Sequence, residues 1–110
     1  MDFDLSEFHQ QKLALLFSML GDSGRIKIIS ALSKGEMNVG AIVEEIGYTQ
    51  SAVSHQLRLL KQNDIIKSRR DGKNAIYSLN DEHIMQIFKI GATHVLHSYH
   101  EDIHDNEEIL

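Results

Sequence analysis

The 110-residue sequence contains no cysteine and no proline. Without cysteine there is no disulfide, no thiol redox chemistry and no soft thiolate site of the kind that selects arsenite, lead or copper(I). Any metal must be held by nitrogen and oxygen. The lack of proline suits a largely helical chain, because nothing interrupts a helix ladder. Apolar runs reach only a few residues, too short for a membrane span. The opening MDFDLSEF is acidic and has no basic n-region, so no secretory signal is expected and the chain reads as cytoplasmic.

What is present describes one folded domain of modest core, with 42% hydrophobic and 25% charged residues. The net charge of −5 argues against a nucleic-acid partner until it is divided along the chain. Residues 49–75 hold six basic side chains (Arg58, Lys61, Lys67, Arg69, Arg70, Lys73) against Asp64 and Asp71, a local balance of +4. The segment 101–108 holds Glu101, Asp102, Asp105, Glu107 and Glu108 with no Lys or Arg. Basic middle and acidic end are separate surfaces, so the overall sign says little about partners.

Periodicity predicts a first helix from about Asp4, with Glu7 completing a capping box, to Leu20. Its apolar set (Leu5, Phe8, Leu13, Leu16, Phe17, Leu20) is wider than one stripe, enough to face both its own domain and a second chain. Gly21 ends it, and Asp22 or Ser23 caps a second helix through Leu32. Asn38 caps a short third helix that Gly47 stops. Thr49 caps a fourth, TQSAVSHQLRLLKQN, in which Val53, Leu57 and Leu60 form the buried stripe. Two β-prone runs then flank Asp71-Gly72, a strong hairpin signal. Asn80 or Asp81 caps a last helix reaching at least about Tyr99. The order α-α-α-α-β-β-α, mainly helical with a basic hairpin after a helix-turn-helix, is that of a winged helix-turn-helix over residues 1–100, with an acidic, histidine-containing tail at 101–110.

The polar face of the fourth helix offers what a major groove requires. Gln50, Ser51, Ser54 and His55 are short donors and acceptors near the helix N-terminus, able to read base edges. Arg58 and Lys61 are placed to hold phosphates, and Arg69, Arg70 and Lys73 on the hairpin extend that contact. A solvated amphipathic helix followed by a charged hairpin would present the same residues, and the wing tips the reading toward double-stranded DNA.

DEHIMQIFKIGATHVLH (81–97) carries the second constellation. At about 100° per residue, His83 and His94 lie within roughly 20° of each other on one helix face, with His97 a turn beyond His94. Along the axis, however, His83 and His94 are about 16 Å apart, and zinc–nitrogen bonds are only about 2.0–2.1 Å. One helix cannot close such a site. Two copies crossing antiparallel near Phe88, Lys89 and Gly91 bring Asp81 and His83 of one chain opposite His94 and His97 of the partner subunit. That gives two equivalent sites of three imidazoles and one carboxylate, suited to Zn(II) and acceptable to Co(II). Without a ligand, the same residues would be an ordinary polar helix face. His100 and His104 read as part of a solvated terminus; as ligands they would expand the site toward six donors and favour Ni(II) or Co(II). His9 has no partner by spacing and reads as structural.

LGDSGRIKIISAL (20–32), SAVSHQLRLLK (51–61), the RRDGKNAIYSL wing (69–79) and D-x-H-x10-H-x2-H (81–97) together resemble the ArsR/SmtB family of bacterial metal-responsive repressors over nearly the whole chain. The last pattern is similar to the C-terminal-helix zinc/cobalt site of its CzrA-like branch. The resemblance implies a winged-helix homodimer joined through the first and last helices. It implies that the metal-free dimer occupies an operator and that metal releases it, permitting expression of metal efflux or resistance genes. Members with thiolate sites carry a cysteine motif on the third helix, where this chain has Asn38, so that second site is not expected. The resemblance also implies a hydrogen bond from His97 to backbone near Asp64, linking the metal site to the reading head.

An enzyme is not expected, since four protein ligands close the coordination sphere and no further Glu or nucleophile motif stands beside them. Neither a membrane nor a small organic substrate is expected as a partner. The competing readings are a winged-helix repressor that senses no metal, a small zinc hydrolase and a zinc-stabilised structural dimer.

Overall fold

Each helix begins where a short polar side chain can take the first free amide. Ser6, not Asp4, caps α1 (Glu7–Leu20), with its hydroxyl accepting from the His9 amide at 3.2 Å. Its Oγ also lies 3.0 Å from His9 Nδ1. Both Asp4 and Ser6 fit a capping pattern, and the residue two positions later wins. Asp22 caps α2 (Ser23–Ser33), Asn38 caps α3 (Val39–Ile46) and Thr49 caps α4 (Gln50–Gln62). Gly47 closes α3 at φ 78°, a left-handed position that glycine occupies without steric cost. The computed structural model describes residues 3–99; His100, His104 and the tail 101–110 lie outside them.

The wing is a hairpin of β2 (Ile66–Asp71) and β3 (Asn74–Leu79) with Asp71 paired to Asn74. The two-residue loop is therefore Gly72-Lys73, one position later than the Asp71-Gly72 signal suggests. Gly72 takes φ 65° at the first central position, while Lys73 is not among the residues with positive φ. A short strand unmarked by any sequence pattern, β1 (Met37–Asn38), pairs antiparallel with β3, giving the order β1-β3-β2. It ties the start of the helix-turn-helix to the wing. The last helix, α5, spans Glu82–Tyr99.

One core holds these elements together. Ile28, Ile29 and Leu32 of α2 meet Ile42 of α3, Val53, Leu57 and Leu60 of α4, Ile65 and Ile66 entering β2, and Leu79 and Ile84 on either side of the β3–α5 junction. Gly24 fits against Tyr48 in the α3–α4 turn, where an added Cβ would stand 3.3 Å from the ring. The long helices behave differently. α1 has no fully buried residue and α5 only Ile84.

Candidate nucleic-acid interface and metal centre

Burying Val53, Leu57 and Leu60 aims the opposite side of α4 at solvent. Gln50, Ser51, His55, Arg58 and Lys61 are exposed there and Ser54 is half-buried. Thr49 Oγ1 accepts from the Ala52 amide at 3.1 Å, so α4 is capped at the end that carries Gln50, Ser51 and Ser54. On the wing, Arg70 and Lys73 are exposed. Arg69 is exposed but engaged. Its Nη2 and Nε donate to the two carboxylate oxygens of Glu36 at 2.5 and 3.4 Å. Those hydrogen bonds hold the Glu36 carboxyl below the usual carboxylate range. Glu36 lies 33 residues from Arg69, and no local pattern pairs them.

A second polar link missed by sequence reasoning reaches α4 from behind. Arg25, in the first turn of α2, donates through Nη1 to Gln56 Oε1 at 3.1 Å and through Nε to the Met19 carbonyl at 2.7 Å. Its Nη2 also reaches the Ser18 carbonyl at 3.4 Å.

Just beyond the end of β3, Asp81 caps α5. Its Oδ1 accepts from the Ile84 amide at 3.1 Å, leaving Oδ2 3.7 Å from His83 Nδ1. The Asp81 carboxyl is held below its ordinary range, chiefly by the Ile84 amide, against an opposing desolvation and with His83 adding to the lowering. The capping role thus keeps this carboxylate ionised with one oxygen free. The His83 side chain is 85% exposed and that of Asp81 49%, so both are reachable from outside the chain. His94 and His97 are exposed one turn apart near the other end of α5. Among the described residues, none hydrogen-bonds to either imidazole, and no three His, Asp or Glu side chains of one chain converge as metal ligands. The structure brings Asp81 to His83 within one chain and leaves His94 and His97 at the opposite end.

The donors fit a borderline divalent ion, being imidazole nitrogens and one carboxylate oxygen that is free to coordinate. Asp64 stands in the turn after α4 with φ 59°. There the Asp64 amide donates to the Lys61 carbonyl at 3.2 Å and the Ile65 amide to the Leu60 carbonyl at 2.9 Å. These two bonds are the closing pair of a Schellman motif, which fixes the backbone just after α4.

Three comparisons bear on these surfaces. A model of bacterial regulatory proteins of the arsR family matches residues 22–68, which run from α2 through the helix-turn-helix into β2. The transcriptional repressor SmtB homolog of Synechocystis sp. is 40% identical over 88 residues, covering 80% of this chain and 67% of that protein. The cadmium resistance transcriptional regulatory protein CadC homolog of Staphylococcus aureus is 38% identical over 92 residues, covering 83% and 76%. Among solved structures, the homodimeric winged helix-turn-helix DNA-binding domain of Mb0332 from Mycobacterium bovis superposes with a TM-score of 0.78 at 23% identity. That match covers 92% of this chain and 97% of the other, and it establishes the fold.

Proposed function

The chain belongs to the arsR family of bacterial regulatory proteins, and from that premise we propose that it is a metal-responsive transcriptional repressor. In this reading a homodimer binds operator DNA through α4 and the wing. Zn(II), or Co(II), lowers that affinity and so permits expression of metal efflux or resistance genes.

One observation carries the metal assignment. Asp81 and His83 stand together at the start of α5, while His94 and His97 stand together near its end, and all four side chains are exposed. Asp81 and His83 of one chain, with His94 and His97 of the partner subunit, would hold the ion. A bound Zn(II) or Co(II) supplies a four-coordinate N/O cross-link between the two last helices. The chain's own surface supports the pairing that this requires. Phe8, Leu13, Leu15 and Phe17 of α1 and Ile90, Val95, Leu96 and Tyr99 of α5 are exposed large hydrophobics. Exposed apolar side chains on that scale favour a partner surface on these two helices, and the SmtB and CadC homologs are named as regulators, the second for cadmium resistance.

The coupling is heterotropic. If cross-linked last helices favour a recognition-helix spacing that suits the operator poorly, a coupling of about 1–3 kcal/mol lowers DNA affinity roughly 5- to 150-fold, and DNA lowers metal affinity by the same factor. We propose that His97 links to the backbone at Asp64, whose turn is already fixed. Gln50, Ser51, Ser54 and His55 would read bases. Arg58, Lys61, Arg69, Arg70 and Lys73 would hold phosphates.

The test is a zinc titration of the metal-free protein on a fluorescent operator duplex, followed by anisotropy, beside Co(II) absorption spectra. Intense d–d bands report four ligands; weak ones report six and would bring in His100 and His104 with Ni(II) as the metal. His97→Ala is expected to weaken zinc binding and abolish zinc-driven release while metal-free operator binding survives. Release of this variant by zinc at wild-type concentrations would sink the assignment.

A further inference from the structure

The surface proposed to meet the partner subunit and the surface proposed to meet DNA belong to different helices, α1 and α4, and one guanidinium joins them. Arg25 is fixed at its own base, since its amide donates to Asp22 Oδ2, the cap of α2, at 3.1 Å. From there the side chain takes the carbonyls of Met19 and Ser18 in the last turn of α1 with two nitrogens, and Gln56 Oε1 in the middle of α4 with a third. The last-turn carbonyls carry the negative end of the α1 dipole, so a cation is favoured there. The guanidinium fork is planar and presents its donors in fixed directions. It therefore sets the direction from α1 to α4 as well as the distance. Gln56 is half-buried, next to the buried Leu57 in sequence, and its amide oxygen is turned to Arg25 of α2 rather than standing among the side chains proposed to read bases.

We propose that Arg25 and Gln56 are positioning residues for operator recognition. Their bridge holds the recognition helix at a set angle to α1, so that when two chains join through α1 and α5 the reading heads acquire the spacing of an operator. The bridge follows from the geometry alone; its consequence for DNA rests on the repressor reading above.

The test uses the full chain and three variants. Gln56→Ala removes the α4 end of the bridge without touching α1. Arg25→Lys keeps the charge but cannot serve three acceptors in one plane. Gln56→Glu keeps an acceptor oxygen in place and should restore what Gln56→Ala loses in the fold. Hydrogen–deuterium exchange without DNA or metal is measured over α4 and the last turn of α1. Exchange should quicken in both segments in Arg25→Lys, quicken in α4 in Gln56→Ala, and return to wild-type rates in Gln56→Glu. Affinity is then measured for a duplex selected by the wild-type protein from random sequence, against poly(dI-dC). Gln56→Ala and Arg25→Lys should lose about tenfold on the selected duplex, the scale of one charge-assisted hydrogen bond, and less than about twofold on the non-specific polymer. Wild-type exchange rates in both Gln56→Ala and Arg25→Lys would overturn the bridge. Altered exchange with unchanged preference for the selected duplex would overturn its positioning role. If the wild type selects no duplex, the repressor reading fails, and the exchange rates still decide whether the bridge orders α4.

Discussion

Asp81 has two tasks for one carboxylate, and substitution can separate them. Its Oδ1 caps α5 through the Ile84 amide and its Oδ2 faces His83. Asparagine caps a helix about as well as aspartate, whereas alanine forfeits about 1 kcal/mol. Asp81→Asn should therefore leave stability within about 1 kcal/mol of wild type, the loss being the charge–dipole contribution, yet weaken Zn(II) binding by more than about tenfold. Asp81→Ala should lose both. Urea denaturation at fixed protein concentration and competition with a zinc chelator read the two effects. The sign of the pH dependence follows from the lowered carboxyl. Ionised Asp81 stabilises the fold above the ordinary carboxyl range, and that contribution disappears as pH falls through its depressed native value. Asp81→Asn should lack this part of the acid-induced loss. Asp64 offers a second separation, since its φ of 59° is costly for any residue with a Cβ except where Asn or Asp tolerate it. Asp64→Ala should cost about 1 kcal/mol, and Asp64→Gly should stay within about 0.5 kcal/mol of wild type. If Asp64 serves through its backbone, Asp64→Gly should still release operator when zinc is added.

The wing shows how far local pattern reaches. Its two strands and glycine turn follow from β-prone runs around Asp71-Gly72, as the caps at Asn38 and Thr49 follow from short polar residues before apolar periodicity. The loop register shifted by one because Asp71 pairs with Asn74 as the last rung of the ladder, which leaves the left-handed position to Gly72 and the loop to Gly72-Lys73. The two-residue β1 has no alternation to read, and it exists because β3 offers it a free edge. The placement of Asp81 with His83 and of His94 with His97 at the two ends of α5 was legible because helix periodicity is local. Arg25–Gln56 and Arg69–Glu36 were not, because each joins residues more than thirty positions apart. The second pair leads to a prediction about the element. Glu36 occupies Arg69, so if Arg69 is to hold a phosphate as proposed, the phosphate must displace Glu36. Glu36→Gln should tighten operator binding by a few-fold and steepen the dependence of log K on log salt by up to about 0.9, the increment for one more phosphate contact. An unchanged salt slope would mean that Arg69 stays with Glu36 on DNA. Exposed ion pairs stabilise folds little, so the melting temperature should hardly move.

At the scale of the whole molecule, the described chain is broad and thin, 44 × 42 × 21 Å, with a radius of gyration of 15.8 Å. A compact domain of about 100 residues measures about 13 Å. The excess fits α1 and α5, which pack part of their apolar sets against the core and leave the rest exposed. Between them opens an apolar cavity of ≈ 460 Å³ lined by Phe17, Leu20, Ile26, Phe88, Gly91 and Val95. Gly91 is open on this side, with nothing within 4 Å of an added Cβ, so a second helix can approach there. A carboxylate placed on this surface tests dimer and metal site together. Val95→Glu should raise the dimer dissociation constant by more than about 30-fold, the loss of one interface hot spot, as read by sedimentation equilibrium. The fold should survive, because α5 joins the core through Ile84, Met85 and Phe88 and not through Val95, and the far-UV circular dichroism should be nearly unchanged. Since the proposed ligands come from two chains, monomeric Val95→Glu should also lose the intense four-coordinate Co(II) spectrum and bind zinc weakly, although Asp81, His83, His94 and His97 are all intact. Zinc at high concentration should partly restore the dimer, because any ion that bridges two chains favours their association by mass action. A monomer that kept tight, four-coordinate Co(II) would instead require ligands gathered within one chain, and the 16 Å that about eleven helical residues impose between His83 and His94 would then have to be closed by unwinding α5.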